Sequence, residues 1–367
     1  MKKVGIFTFN TAYNVGAIMQ AYALQETIKN LGYDCQIINY QNEAFHVYID
    51  NVHFFRRKTL KSKIRYLMHV VRGPILATKE RKKIDKLVSF CKKHYDLTSP
   101  YTLKDIYKSN EVIDTFVLGS DQVWNSCLYD YDPSYFMGFV DKNKKLITYA
   151  ASFGKDTITG FEYYKLKDTI HKFDAISMRE RSGCKILKQY FDVDSTNVLD
   201  PTFLQKKEFW FSLASQSKLN IKKPFIFIYL VAAPTNLLKA VEEYAKKHHY
   251  EIYSFSRLNA KIKYHCVTDS SLEDFLYYIK NAKCVFTTSF HGLALSINMN
   301  TDLYFELSRK TNNANARLVD LCSPLGLMER EIKEGSVIEK PIDWNVINSK
   351  LDSLRDHSLA YLKDNLK

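Results

Sequence analysis

The sequence predicts an α/β fold built from two Rossmann-like halves, and three observations carry that expectation. An apolar run over 3–9 leads through a loop into a helical pattern over 17–31 that ends at Gly32, and a second apolar run follows over 35–40. Parallel strands need a crossover, so this reads as a βαβ unit. The alternation restarts at 225–231 and runs on to Phe305, and 367 residues exceed what one hydrophobic core usually holds.

The elements follow in order. Beyond 35–40 lies an insertion over 53–95; then 112–118, 146–150 and 175–178 are strand-like, 180–190 is helical, and 197–199 reads as a further short strand. The second half opens with a helix around Trp210. Strands at 225–231, 251–255, 284–287 and 303–305 then alternate with helices at 236–248, 272–281 and 293–298. Trp344, Ile347, Leu351, Leu354, Tyr361 and Leu362 fall at helical spacing, so a terminal helix is expected to pack back across both halves. The predicted organisation is an N-terminal Rossmann-like domain over 1–205, a C-terminal one over 206–341, and a helix over 342–367. That is a GT-B-type arrangement with its cleft between the domains.

Composition narrows the class further. With 46% hydrophobic and 14% aromatic residues, disorder is excluded. Seven cysteines, an odd number without a CxxC pair, fit a reduced cytoplasmic compartment better than a disulfide scaffold. No leader is expected before the first strand, and the longest apolar run, 225–233, is too short for a bilayer. The formal net charge is +13, and the stretch from Arg56 to Lys93 holds fourteen Lys/Arg against Glu80 and Asp85, a balance of +12. Leu60, Ile64, Leu67 and Val71 share one helical face there, flanked by Lys61, Arg65 and Arg72. The segment reads either as a basic amphipathic element for an anionic membrane surface or as a helical hairpin with its lysines in water. No recognition fold accompanies it, so nucleic acid is not expected as a partner.

Four loops carry candidate chemistry. Asn14 and Gly16 join the first strand to the first helix; they read either as a close-approach loop for a ligand or as an N-capped turn. Ser120, Asp121, Gln122 and Trp124 follow a strand directly, where open α/β sheets bind ligands. Asp121 can be a base and Trp124 a stacking face for a sugar, or the pair can be a helix cap and a core residue. Arg179, at another strand exit, offers a guanidinium fork to a carboxylate or phosphate. The stretch Ser289, Phe290, His291, Gly292 follows an apolar strand and opens a helix, a geometry that favours an anion. Lys310 and Arg317, one element later, could bring more positive charge, although Arg317 also reads as a plain surface residue. No HxxxH or HExxH spacing occurs, so no metal is expected.

Taken in succession, VGIFTFNTAYNVGAIMQAYALQETIKNLGY, FVLGSDQVWN, YAASFG, ISMRERSG, VLDPTFL, TTSFHGLALSI and ARLVDLCSPLGL resemble the polysaccharide pyruvyl transferase family over nearly the whole length. The resemblance implies a GT-B-like enzyme that uses phosphoenolpyruvate as donor substrate, without a further cofactor, and installs a pyruvate ketal across two sugar hydroxyls in cell-surface glycan synthesis. The acceptor it implies is a hexose such as galactose, on a lipid- or polyprenyl-diphosphate-linked glycan, met by a cytoplasmic or peripheral enzyme. It carries donor binding onto Arg179 and onto Ser289, His291 and Gly292. His291 becomes the candidate proton donor or phosphate stabiliser and Asp121 the base. Asn14, Gly16, Ser120, Gln122 and Trp124 are left for the acceptor. One departure stands out: many members have Arg where this chain has Ser289, so Lys310 or Arg317 must replace that contact or the donor differs. The alternative is a GT-B glycosyltransferase using a nucleotide sugar, with Glu306 on the ribose. A third reading, a basic surface-binding module, would make all these motifs mere turns.

Overall fold

The computed structural model describes residues 2–10, 14–42, 73–129, 131–258, 262–308, 315–334 and 339–367, with the backbone alone over 73–80. Four parallel strands form the first sheet: β1 (Lys3–Phe7), β2 (Asp34–Ile37), β3 (Thr115–Leu118) and β4 (Lys145–Thr148), in the order β2-β1-β3-β4. Val4 stands opposite both Cys35 and Thr115, which fixes the register. Every residue of β3 is buried, the mark of a parallel strand covered on both faces. Single bridges from Ile147 to Ala175 and from Ala151 to Met178 extend the layer to β5 (Ser177–Met178), which pairs with β6 (Thr196–Asn197).

The second sheet is also parallel. Its strands β7 (Phe225–Tyr229), β8 (Glu251–Ser254), β9 (His265–Cys266), β10 (Cys284–Thr287) and β11 (Leu303–Phe305) lie in the order β11-β10-β7-β8-β9. Each sheet therefore reverses its winding once, between β1 and β3 in one half and between β7 and β10 in the other. Open α/β sheets bind ligands at such switch points.

Helix α1 (Val15–Asn30) is buried along nearly its whole length because it lies between the halves. Gln205 donates to Ala23 O at 3.3 Å and to Thr27 Oγ1 at 2.9 Å on its far side. Within the basic insertion, α2 (Gly73–His94) spans the seam: Phe90 packs on Tyr22, while Lys86 Nζ donates to Asp269 O at 2.8 Å. The expected apolar helical face from Leu60 to Val71 lies outside the described residues. Helices α3 (Gly160–Thr169) and α4 (Arg181–Phe191) complete the first half; α5 (Lys207–Ala214), α6 (Leu237–His248), α7 (Leu272–Asn281), α8 (Phe290–Asn298) and α9 (Ala316–Leu325) follow.

The terminal helix α10 (Trp344–Leu366) returns to the first half, as its spacing predicts. Arg355 Nε donates to Phe203 O at 2.6 Å, Leu199 N to Ser358 Oγ at 3.0 Å, and Tyr361 OH to Thr148 O at 3.0 Å. These bonds tie β4 and the turn before α5 to the end of the chain. Sequence reasoning misses α3, whose start is set by the Thr159/Glu162 capping box, and the two-residue β9. It also begins α8 three residues late, because Ser289 caps that helix by accepting from Gly292 N.

Candidate active site

The carboxyl ends of β3, β5 and β6 meet the start of α8 across the seam, and one carboxylate lies at the centre. Asp200 follows β6 and is 1% exposed. Its Oδ1 accepts from Thr202 N at 3.0 Å, while its Oδ2 accepts from Arg179 Nη1 at 2.9 Å and from Ser120 Oγ at 3.3 Å. His291 Nε2, from the other half, stands 3.7 Å from the same Oδ2, an ion-pair separation beyond hydrogen-bond reach. Arg179 and His291 thus converge on one oxygen.

Arg179 also donates through Nη2 to Asp121 Oδ1 at 3.1 Å, and its guanidinium lies 4.8 Å from the centre of the Phe290 ring. Arg317 approaches that ring as well, at 5.9 Å. The surface-residue reading of Arg317 is therefore wrong; α9 turns it inward. Burial and the like charge of Arg179 pull its guanidinium down to about 10. Among the described residues, the buried Nε atoms of Arg179 and Arg317 and Nε2 of His291 find no hydrogen-bond partner. Lys310 lies outside the described residues.

The carboxyls at this seam divide into two kinds. Burial raises Asp121 and Asp200, yet the cations outweigh it: Arg179, then His291 and Arg317, hold Asp121 below the usual carboxylate range, and His291 with Arg179 does the same for Asp200. Glu180, beside them, goes the other way, because its burial exceeds the pull of Arg179 and Arg317. Its Oε1 accepts from Phe153 N at 3.0 Å, and its buried Oε2 has no partner.

Several expected contacts have other duties. Trp124 is wholly buried, 5.3 Å from Phe153 and edge-on to Phe173, so its indole is a core wall and unavailable for a sugar. Ser120 is equally buried, and its hydroxyl donates to Ala150 O and Asp200. Gly16 does admit a close neighbour, but the neighbour is His291: a Cβ at position 16 would lie 2.0 Å from the imidazole Nδ1. Asn14 accepts from Gly16 N at 2.9 Å and Ala17 N at 3.4 Å as the cap of α1, while remaining exposed at the cleft. Gln122 is half-buried and accepts from Asn125 at 3.0 Å. Glu306, the ribose candidate of the nucleotide-sugar alternative, instead accepts from the amides of Thr235, Asn236 and Leu237 at the start of α6. That carboxylate is consumed by the helix N-terminus.

Asp200 and Glu180 are the residues that the sequence reading leaves out. The signal for Asp200 was present in Asp200-Pro201, a turn-initiating pair at a strand exit, but it also reads as a simple domain end. Among the described residues, no group of three His, Cys, Asp or Glu side chains is placed to hold a metal ion.

The family model for polysaccharide pyruvyl transferase matches residues 14–302, most of the chain and every loop of the seam up to α8. The chain belongs to the polysaccharide pyruvyl transferase family. No curated protein matches this pyruvyl transferase family member. Among solved structures, the UDP-GlcNAc 2-epimerase from Neisseria meningitidis bound to UDP-GlcNAc aligns with a TM-score of 0.53 at 8% identity, covering 100% of this chain and 99% of that one. A Listeria monocytogenes protein assigned as a UDP-N-acetylglucosamine 2-epimerase gives 0.51 at 12%, covering 98% and 90%. The Methanocaldococcus jannaschii UDP-GlcNAc 2-epimerase in complex with UDP-GlcNAc and UDP gives 0.50 at 11%, covering 97% and 93%. At such identities the likeness shows the fold, which is GT-B.

Proposed function

We propose that this pyruvyl transferase family member takes the pyruvyl group from phosphoenolpyruvate and closes it as a cyclic ketal on two hydroxyls of a sugar. The observation that carries the reading is the set of unpartnered buried donors at one seam: Arg179 Nε, Arg317 Nε and His291 Nε2. A buried donor without a partner costs about 1–3 kcal/mol, so the fold holds these open at a cost that a bound anion would relieve. Phosphoenolpyruvate brings two anionic groups, and guanidinium forks suit both. Arg317 is our replacement for the arginine that many members have where this chain has Ser289.

In the reaction, His291 gives a proton to the enol methylene, leaving an oxocarbenium-like carbon. One sugar hydroxyl attacks that carbon and loses its proton to Asp121. The carbon–oxygen bond to phosphate then breaks as Asp121 passes its proton to the departing inorganic phosphate, and a second hydroxyl of the same sugar closes the ring and returns its proton to His291. Asp121 is a weak base while paired to Arg179; the donor's own charge, drawing on the same guanidinium, restores its basicity. The cavity beside Arg179, Arg317, Phe290 and His357 measures about 60 Å³, small against the about 300–1,000 Å³ of a ligand cleft. Donor entry therefore requires the halves to part, and closure excludes water from the cation.

Asn14, exposed at the cleft, and Gln122, half-buried, are the expected acceptor contacts that keep some exposure. The basic stretch from Arg56 to Lys93 would bring the enzyme to an anionic leaflet carrying a lipid-linked acceptor. No helix among the described residues is long and apolar enough to cross a membrane. Incubation with phosphoenolpyruvate and a panel of galactosides tests the chemistry: inorganic phosphate and an acid-labile ketal should appear together. Phosphate release without a ketal, or neither product with any acceptor, would overturn it.

A further inference from the structure

Helix α4 starts at the seam without a cap from its own flanking residue. Glu180, just ahead of it, makes no side-chain capping bond, because its Oε1 accepts from Phe153 N at 3.0 Å and Gly154 N at 3.4 Å instead. The first amides of a helix have no partner inside it, and their partial positive charge favours a carboxylate. Here the carboxylate comes from the other half of the molecule: Asp320 Oδ2, on α9, accepts from Arg181 N at 2.7 Å.

Asp320 stands three residues after Arg317, so the two side chains leave α9 on neighbouring positions of one face. Arg317 has need of such a neighbour. Its buried Nε finds no partner among the described residues, and the like charge of Arg179 repels it. Its ring contact with Phe290, at 5.9 Å, lies at the outer edge of cation–π range. Turning to water would relieve both the burial and the repulsion. Leu318, Leu321 and Leu325 hold α9 by apolar burial, which has no preferred direction, whereas the bond to Arg181 N fixes where the first turn points.

Resting on the proposed reaction, we infer that Asp320 is a positioning residue: its bond to the start of α4 holds Arg317 over the seam, so that this arginine grips the donor anion only when the halves are closed. Parting of the halves for donor entry separates Asp320 from Arg181 N. Closure restores that bond and returns Arg317 in the same movement. Asp320 itself touches no substrate; it couples closure to the arrival of positive charge.

Calorimetric titration with inorganic phosphate, the group shared by donor and product, tests the role independently of turnover. Arg317→Ala should weaken phosphate binding about tenfold or more, the loss of a charge-assisted hydrogen bond. Asp320→Ala should weaken it about fivefold, and in an Arg317→Ala background the same change should cost less than about twofold. A second variant removes the bond while leaving Asp320 in place. Proline is tolerated at the first position of a helix, and Glu180 already has the extended backbone that precedes a proline, with φ −123° and ψ 147°. Arg181→Pro should therefore bind phosphate about fivefold more weakly than Arg181→Ala, which keeps the amide hydrogen. Equal affinity in the Pro and Ala variants, the same loss at Asp320 with and without Arg317, or no phosphate binding by the wild type would overturn the role. If phosphate binding follows the expected pattern yet phosphoenolpyruvate yields no ketal with any galactoside, the reaction fails while the positioning role stands.

Discussion

The turn after β3 and the turn after β10 look alike in sequence and end differently in space. Both follow buried parallel strands, and both offer a serine, an aromatic ring and a titratable group: Ser120, Trp124 and Asp121 in one, Ser289, Phe290 and His291 in the other. After β3 a further layer folds over the turn, since Phe153 and Phe173 cover Trp124 and Ala150 takes the Ser120 hydroxyl. After β10 the other half of the molecule stands opposite, so His291 reaches across to Gly16 and Asp200. At a strand exit, the side chains that face the other domain reach the site, as Asp121 and His291 do, whereas those that face the same domain's core, as Trp124 does, become packing.

That contrast fails first, and most visibly, at His291. If its imidazole handles the proton, His291→Ala should lower turnover by about 10²–10⁴-fold while the protein still melts cooperatively. A loss below tenfold in phosphate release would remove the imidazole from the chemistry. Asp200 is the structural counterpart: replacing it with Ala strands Arg179, which is 1% exposed, and should cost about 3–5 kcal/mol in urea unfolding. A cost under 1 kcal/mol would mean that Asp121 alone suffices to hold the guanidinium.

Gly16→Ala tests the contact between the halves. The added methyl must displace the imidazole, so we expect a loss of about 1–3 kcal/mol, typical of overpacking. In a His291→Ala background the same change should be nearly neutral, and that non-additivity, read from a double-mutant cycle, identifies the pair as touching. Additive effects would place the strain elsewhere. A smaller effect is expected at Trp124→Phe: stability should fall modestly, with the acceptor KM unchanged, because no sugar meets that ring. A raised acceptor KM would restore the stacking role.

The elements were legible because their patterns are long and redundant. β7 and β10 are continuous apolar runs, α10 repeats Ile347, Leu351 and Leu354 at helical spacing, and two βαβ alternations imply two parallel sheets. Arg179 and His291 were also within reach, since Arg179 directly follows β5 and His291 lies in the first turn of the helix after β10. Direction was not. Nothing local distinguishes a tryptophan facing a cleft from one facing Phe153, because the covering residues lie far along the chain. Asp200 was missed for the same reason: its role is defined by Arg179, Ser120 and His291, partners drawn from three separate segments and from both halves. Glu306 shows the converse, a residue given a ligand role that its neighbours in space, the amides at the start of α6, had already filled.

The finest test separates the two kinds of carboxyl at the seam. Asp121 and Asp200 are held below the usual range, so the stability they contribute is present above their ordinary pKa and is lost only as pH falls through their lower folded values. Glu180 is raised, so the folded protein keeps a proton that the unfolded chain has released, and stability declines as pH climbs from about 4.3, its unfolded value, through its higher folded value. The two effects occupy adjoining windows and need not mask each other. Glu180→Gln should abolish the upper decline and leave the acid limb untouched, which chemical denaturation at closely spaced pH values from mildly acidic to neutral can read. Parallel curves for wild type and variant would show that the pull of Arg179 and Arg317 offsets the burial of Glu180.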